Sequence, residues 1–250
     1  MFGNLSPVSS VAAASSGLSP LLAGAPSAHQ RTLVVHPLLA PVLPHHALQR
    51  GNIIACGGPA AISLSLLAVV EASRAGSWVA AAGMPALGLA AAAEMGVALT
   101  RLIAVDEPSS SPFGDQVWGD VLAAMIDGFD LVLVGSSCSR RLRTATVRKL
   151  QARVQSRGAV LVLVGHAGGF SADVDISSGA CQWQGLGQGH GRGIARTVDV
   201  QVSGRRVPRP RWASLLLPGA DGGPAAGGSS DPGSVVHPVL HDPVELRPVG

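Results

Sequence analysis

Any chemistry in this chain would start at Gly57-Gly58-Pro59, between a short apolar run, Asn52–Cys56, and a helix-compatible stretch, Ile62–Ala75. Strand, glycine turn and helix make the frame of a phosphate-binding loop, in which amides at a helix N-terminus cradle an anion. Such a loop needs a lysine to reach the outer phosphates, followed by Ser or Thr to hold magnesium. Here the lysine position is Leu64, flanked by Ser63 and Ser65. The chain's one lysine, Lys149, lies on another predicted helix, so a register slip does not supply the charge. Two readings follow: a plain strand-to-helix turn, or weak anion binding by helix-terminal amides with Ser63 or Ser65.

Positive charge gathers elsewhere. Leu131 to Ala172 holds seven basic residues and no acidic one: Arg140, Arg141, Arg143, Arg148, Lys149, Arg153 and Arg157. They cover much of one predicted helix without acidic partners in that helix, so intrahelical ion pairs do not explain them. A solvated face is one reading, and a contact for nucleic acid or an acidic protein is the other. Near the C-terminus, Trp183, His190, Arg192 and Arg196 surround a glycine-rich stretch, Gly185 to Gly193. This stretch follows no long predicted strand and precedes no apolar helix, so it reads as a hairpin or partner-docking loop, not a dinucleotide loop.

Other chemistries find less support. Cys56, Cys138 and Cys181 are far apart and odd in number, which excludes a disulfide framework and a thiolate zinc site and fits a reducing cytoplasm. The histidines are scattered; His237 and His241 have metal-like spacing, but Pro238 lies between them and no third ligand is near. No metal is expected. Asp173 and Asp175 would share one strand face, without a base to complete a catalytic pair.

The elements that must position these residues follow from hydrophobic pattern. With 47% hydrophobic residues in 250, the chain can bury one substantial core. The net charge of +3 does not make the whole molecule a polyanion binder. Pro and Ser break the apolar N-terminus, which carries no basic residue before Arg31, so no export signal is expected. Charged residues interrupt every long apolar run, so no membrane span is expected either.

Residues 1–32 read as a disordered segment, 33–217 as one core domain and 218–250 as a flexible Gly/Pro-rich tail. Strands are predicted at Asn52–Cys56, Ser77–Ala82, Arg101–Val105, Asp130–Val134 and Ala159–Val164. Helices are predicted at Ile62–Ala75, from Pro85 to Met95, at Gln116–Ile126 capped by Asp115, and at Arg140–Ser156. Leu131-Val-Leu-Val134 and Ala159–Val164 lack polar alternation, which marks strands buried on both faces of a parallel sheet. Short strands at Ala172–Ile176, Thr197–Val202 and Ala213–Leu217 predict an antiparallel extension.

The order of these pieces resembles the RecA-type recombinase core. More closely, it is similar to the RecA-like accessory proteins of bacterial damage-induced mutagenesis called ImuA, in their actinobacterial branch. The resemblance spans about Leu39 to Leu217 and rests on Arg50-Gly-Asn-Ile-Ile54 leading into Gly58-Pro59, Ala75-Gly-Ser-Trp-Val79, Met84-Pro-Ala-Leu87, Ala93-Glu-Met-Gly-Val97 with Arg101-Leu102, Phe129–Val134, Trp183-Gln-Gly-Leu-Gly187 and Arg205 to Leu217. It implies a RecA-like α/β core, a mostly parallel sheet flanked by helices with a C-terminal antiparallel extension.

In that register Ser63 replaces a loop glycine, Met84 the water-activating glutamate and Gly135 the Walker B aspartate. Hydrolysis of ATP needs charge on the transferring phosphoryl group, a held metal and an oriented water. The expectation is therefore a non-catalytic protein without cofactor. The resemblance further implies a cytoplasmic, possible nucleoid-associated, accessory role in translesion synthesis. The partners it implies are an inactive Y-family polymerase homologue (ImuB) and, through it, an error-prone C-family polymerase and the sliding clamp. The basic helix, the segment around Trp183 and the tail are the expected contacts. A division inhibitor of the SulA type and a DNA- or nucleotide-binding paralogue without hydrolysis are the alternatives.

Overall fold

In the computed structural model, residues 31–186 and 191–227 are described. The order is β1 (Thr32–Leu33), β2 (Leu48–Gln49), β3 (Ile53–Gly57), α1 (Ala61–Arg74), β4 (Val79–Ala82), α2 (Leu89–Glu94), β5 (Leu102–Val105), α3 (Asp115–Gly128), β6 (Leu131–Gly135), α4 (Ser136–Ser139), α5 (Thr144–Arg157), β7 (Val160–Val164), β8 (Val174–Leu186), β9 (Gly191–Ser203), β10 (Arg211–Leu216) and β11 (Ala225–Ala226). Among these residues the main sheet runs β11-β10-β9-β8-β3-β7-β6-β4-β5. From β8 to β5 every neighbouring pair is parallel, and β9, β10 and β11 continue antiparallel. This is a mixed α/β fold, with a large, mostly parallel sheet flanked by helices and antiparallel strands at the C-terminal end.

The wholly apolar strands are sandwiched as their composition requires. Leu131, Leu133, Val160 and Val162 pack with α1 on one face, while Val132, Val134, Leu161 and Leu163 pack with α3 and α5 on the other. α1 is itself covered twice. Its run Leu64 to Val70 is buried in one cluster with both the sheet and the proline-interrupted segment carrying Leu39, Val42 and Leu43. That segment forms two short 3-10 turns, Ala40–Val42 and Pro44–His46, each with a proline at its start. α1 ends where Gly76, at φ +101°, turns the chain and Ser77 N–H donates to Ala72 O.

Several predicted elements change. The short strands expected at Ala172–Ile176 and Thr197–Val202 are the long β8 and β9, thirteen residues each. The helix from Pro85 starts later, at Leu89, because Leu87 N–H closes a turn onto Met84 O and Gly88 is extended. The basic helix is broken: α4 is one short turn, Arg143 is extended (φ −76°, ψ 154°), and α5 begins at Thr144. Asp115 explains the second start. It was expected to cap its own helix, but its carboxylate accepts from Arg143 N–H at 2.7 Å and Thr146 Oγ1–H at 3.0 Å, so it caps α5 across the helix pair. These bonds hold the Asp115 carboxyl below its usual range, the Arg143 amide contributing most. Finally, the chain after Leu217 does not leave the core as a tail at Pro218. Ala225 and Ala226 pair with Leu216 and Leu215, and Gly227 N–H donates to Ser214 O. Residues 1–30 and 228–250 lie outside the described residues, and with them most of both predicted terminal segments.

The antiparallel part keeps one solvated face. Along β9, Val198, Val200 and Val202 are buried toward α1, and Asp199 and Gln201 point away from it. Asp173 ties this part to the rest: its buried carboxylate accepts from Ile53 N–H at 2.9 Å, from Arg205 at 3.0 Å and from Arg206 at 3.3 Å. The Asp173/Asp175 pair is therefore an anchor beside a half-buried neighbour, not a paired acid and base. Burial pushes the Asp175 carboxyl up.

Candidate functional site

The carboxyl ends of β3, β4, β6 and β7 open into a cleft of about 550 Å³. Crevices at this end of a parallel sheet are where α/β proteins take ligands. Each of these strands passes into a glycine that lines the cleft: Gly58, Gly83, Gly135 and Gly165. Three of them are compelled by close approach, Gly83 because a Cβ there would lie 2.8 Å from Cys138 Cβ. Gly58 has φ +83°, and a Cβ there would lie 2.2 Å from Ser178 O. At Gly135 a Cβ would lie 2.0 Å from Gly83 O and 2.9 Å from the Met84 side chain. A glycine after each apolar strand is a signal readable in the sequence.

The loop remnants separate here. Gly58, Pro59, Ser63, Met84 and Gly135 line the cleft, and Gly57 ends the strand leading to it. Leu64 and Ser65 do not line it. Leu64 is fully buried in the core, and Ser65 Oγ donates to Ile62 O at 2.7 Å. The cause is the early start of α1. Only Gly58, Pro59 and Ala60 separate strand from helix, Pro59 has no N–H, and the next two amides are already used. Ala60 N–H donates to Ser178 Oγ at 2.9 Å and Ala61 N–H to Gly58 O at 3.1 Å. A phosphate cradle needs several converging amides, a lysine and a carboxylate for the metal. This cleft offers the first-turn amides of Ile62 and Ser63, no lysine, and no room for a carboxylate at Gly135. These residues do not fit a magnesium–triphosphate group.

The cleft's charge comes from another element. Arg196, on β9, donates through Nη2 to Ser63 Oγ at 2.8 Å and through Nε to Leu217 O at 2.6 Å, and it lines the cleft. Its guanidinium sits 5.5 Å from the Trp183 ring centroid. That ring also lies against Gly193, where a Cβ would be 2.8 Å away, so the glycine gives the aromatic its place. Of the residues expected around the glycine-rich stretch, Trp183 and Arg196 thus meet. They sit on paired strands of a hairpin, in register with each other. Residues 187–190, including His190, and the Arg192 side chain lie outside the described residues.

The basic cluster divides. Arg141 bonds to Glu107 at 2.6 Å and to Phe113 O, and Arg153 and Arg157 both hold Asp127. The absence of acids within the helix therefore did not mean absence of partners, which come from the preceding loop and from α3. Arg153 is the main cause holding the Asp127 carboxyl down at about 2. Arg140, Arg143, Arg148 and Lys149 are exposed and make no ion pair among the described residues.

The remaining candidates are quiet. Burial pushes the Cys56 and Cys138 thiols up to about 12, far from a reactive thiolate. Among the described residues no three His, Cys, Asp or Glu side chains gather as a metal site. His237 and His241 fall outside the described residues. No described helix is long and apolar enough to cross a membrane.

A parallel α/β core, a glycine-rimmed cleft at its strand ends and an antiparallel arm bringing an arginine to that cleft define the class. Within it, the model of the MT3502 N-terminal domain family matches residues 41–169, just over half of the chain, and the chain belongs to that family. It is also similar to the uncharacterized protein Rv3395c of Mycobacterium tuberculosis (strain ATCC 25618 / H37Rv), 36% identical over 117 residues. That alignment covers 47% of this chain and 53% of the relative, so the chain spans about half the length of the curated relative it matches.

Proposed function

We propose that this chain is a non-catalytic, RecA-fold accessory protein of the ImuA type, acting by protein contact in DNA-damage tolerance. The observation that carries the reading is the joint loss of one site. Leu64 faces the core, Met84 lines the cleft without a base, and Gly135 has no space for a carboxylate. A random lesion would remove one of these; a chain no longer using hydrolysis can lose all three while keeping the fold. The proposed partner is an inactive Y-family polymerase homologue, with an error-prone C-family polymerase and the sliding clamp reached through it.

Co-precipitation of the full-length chain with that homologue tests this, alongside a chain truncated after Gly227. Capture by the full-length chain supports the reading, and the truncation reports whether residues 228–250 contribute. Failure of both chains to capture the homologue ends it. A second reading rests on Arg140, Arg143, Arg148 and Lys149, which are exposed without ion pairs. If they meet phosphates, single-stranded DNA binding weakens steeply with salt. A flat salt dependence, or no binding, removes that reading.

A further inference from the structure

We infer that the cleft beneath the β8–β9 hairpin is a docking pocket for an acidic side chain of a partner protein, presented next to a large apolar one. This rests on the reading that the chain works by protein contact, and it names the surface and the chemistry that surface selects. Among the described residues, Arg196 is the only charged one lining the cleft. Its Nε and one Nη2 bond are committed to Leu217 O and Ser63 Oγ, and among the described residues nothing bonds its Nη1. The two known bonds fix the guanidinium, so its remaining edge is preorganised for a carboxylate.

The surroundings supply the apolar half. Pro59 and Met84 line the cleft, and Trp183 stands beside Arg196, packed on Gly193 yet 45% exposed. Ile194, 55% exposed, precedes Arg196 by two residues on β9, and strand alternation puts both on one face. An exposed aromatic held rigid next to a fixed arginine is the composition of an interface hot spot. The volume suits a pair of side chains.

Charge decides between occupants. A nucleoside phosphate brings several negative charges and asks for a metal or several cations. The cleft offers one cation and no metal-holding carboxylate, which matches the single charge of Asp or Glu.

The test selects a phage-displayed library of short random peptides on the full-length chain. Enriched peptides are then titrated by fluorescence polarisation against wild type, Arg196→Ala, Arg196→Lys and Ala86→Trp. Ala86 is exposed at the cleft and outside the Arg196 contacts, so its tryptophan fills the mouth without disturbing the latch. Thermal melting confirms that each variant is folded.

The expected peptides carry Asp or Glu beside a large apolar residue. Their affinity falls about tenfold to a hundredfold in Arg196→Ala, and on changing the acid to its amide. Arg196→Lys keeps the charge without the fork and falls less, and Ala86→Trp blocks binding. The proposal is overturned by peptides without an enriched acid, by binding that ignores both Arg196→Ala and Ala86→Trp, or by displacement with inorganic phosphate or magnesium–ATP. The wider reading fails separately: peptides that bind as expected, with no capture of the polymerase homologue, would sink only the partner's identity. Capture that survives Arg196→Ala would sink only the pocket.

Discussion

The parallel and antiparallel parts of the sheet bear on the same cleft in opposite ways. In the parallel part, which the family match covers up to residue 169, packing shapes the strand ends that border the cleft: glycines at contact distance, amides bonded internally, and Leu64 turned into the core. The antiparallel part lies beyond that match and brings Arg196 to the cleft, with the exposed Trp183 beside that arginine. Among the described residues the parallel part brings no charged side chain to the cleft, and the antiparallel part brings an arginine. The difference teaches that a cleft at the strand ends can take its charge from outside the strand–glycine turns that form it. The strand ends stay open, because the sheet geometry that made them is held by the core.

The sharpest way to break this comparison is to put a charge where the parallel part has none. Leu64→Lys places an ammonium at a fully buried position. It should destabilise the chain by roughly 4–5 kcal/mol or more in urea unfolding, with no ATP hydrolysis. Hydrolysis in this variant would overturn the account of Met84 and Gly135.

Next in size is Gly135→Ala. Its methyl would meet Gly83 O at 2.0 Å, so β4 and β6 must separate at their ends. We expect a cost of about 1–3 kcal/mol, read from the shift in denaturation midpoint. A neutral result would mean that the strand ends are loose, and a carboxylate there would then be conceivable.

Asp173→Ala tests the joint between the two parts. It strands the Ile53 amide and releases Arg205 and Arg206, for an expected loss of about 1–3 kcal/mol. Hydrogen exchange should rise along β8 and β9 more than along β6 and β7. Uniform acceleration would show that the arm is not a separate unit.

The smallest effect belongs to Asp127, on the far side of the parallel part. Its folded carboxyl, held near 2 by Arg153, titrates below the unfolded value of about 3.9. Its contribution is therefore complete above the unfolded value and is lost as pH falls toward 2. The groups are partly exposed, so the contribution should be a few tenths of a kcal/mol. The stability difference between wild type and Asp127→Asn should shrink steadily between about pH 5 and pH 2. A difference that persists at the acidic end would mean that shape, not charge, holds this contact.

Local pattern carried far in this chain. The Leu-Val-Leu-Val of β6 and the apolar run of β7 announced buried parallel strands, because no alternation survives when both faces are covered. The glycine-rich stretch read as a hairpin or docking loop with no long strand before it, whereas β8 is thirteen residues long and pairs with β9. Other features depended on partners distant in sequence. Asp115 caps α5 rather than α3 because the helices pack side by side, and no window around Asp115 contains Arg143. Arg141 and Arg153 found acids from neighbouring elements for the same reason. Ala225–Ala226, small and flanked by glycine and proline, became a strand only because β10 offered an edge.

The sequence by itself determined the layered sheet, the strand–glycine–helix turn and the absence of a lysine beside it, since composition and spacing are local facts. The tertiary structure alone decided which way Leu64 faces, that Gly135 admits no side chain, and that Arg196 reaches Ser63 from more than a hundred residues away. Helix phase, backbone approach and cross-strand reach are set by packing between elements, and packing is written in no single stretch of the chain.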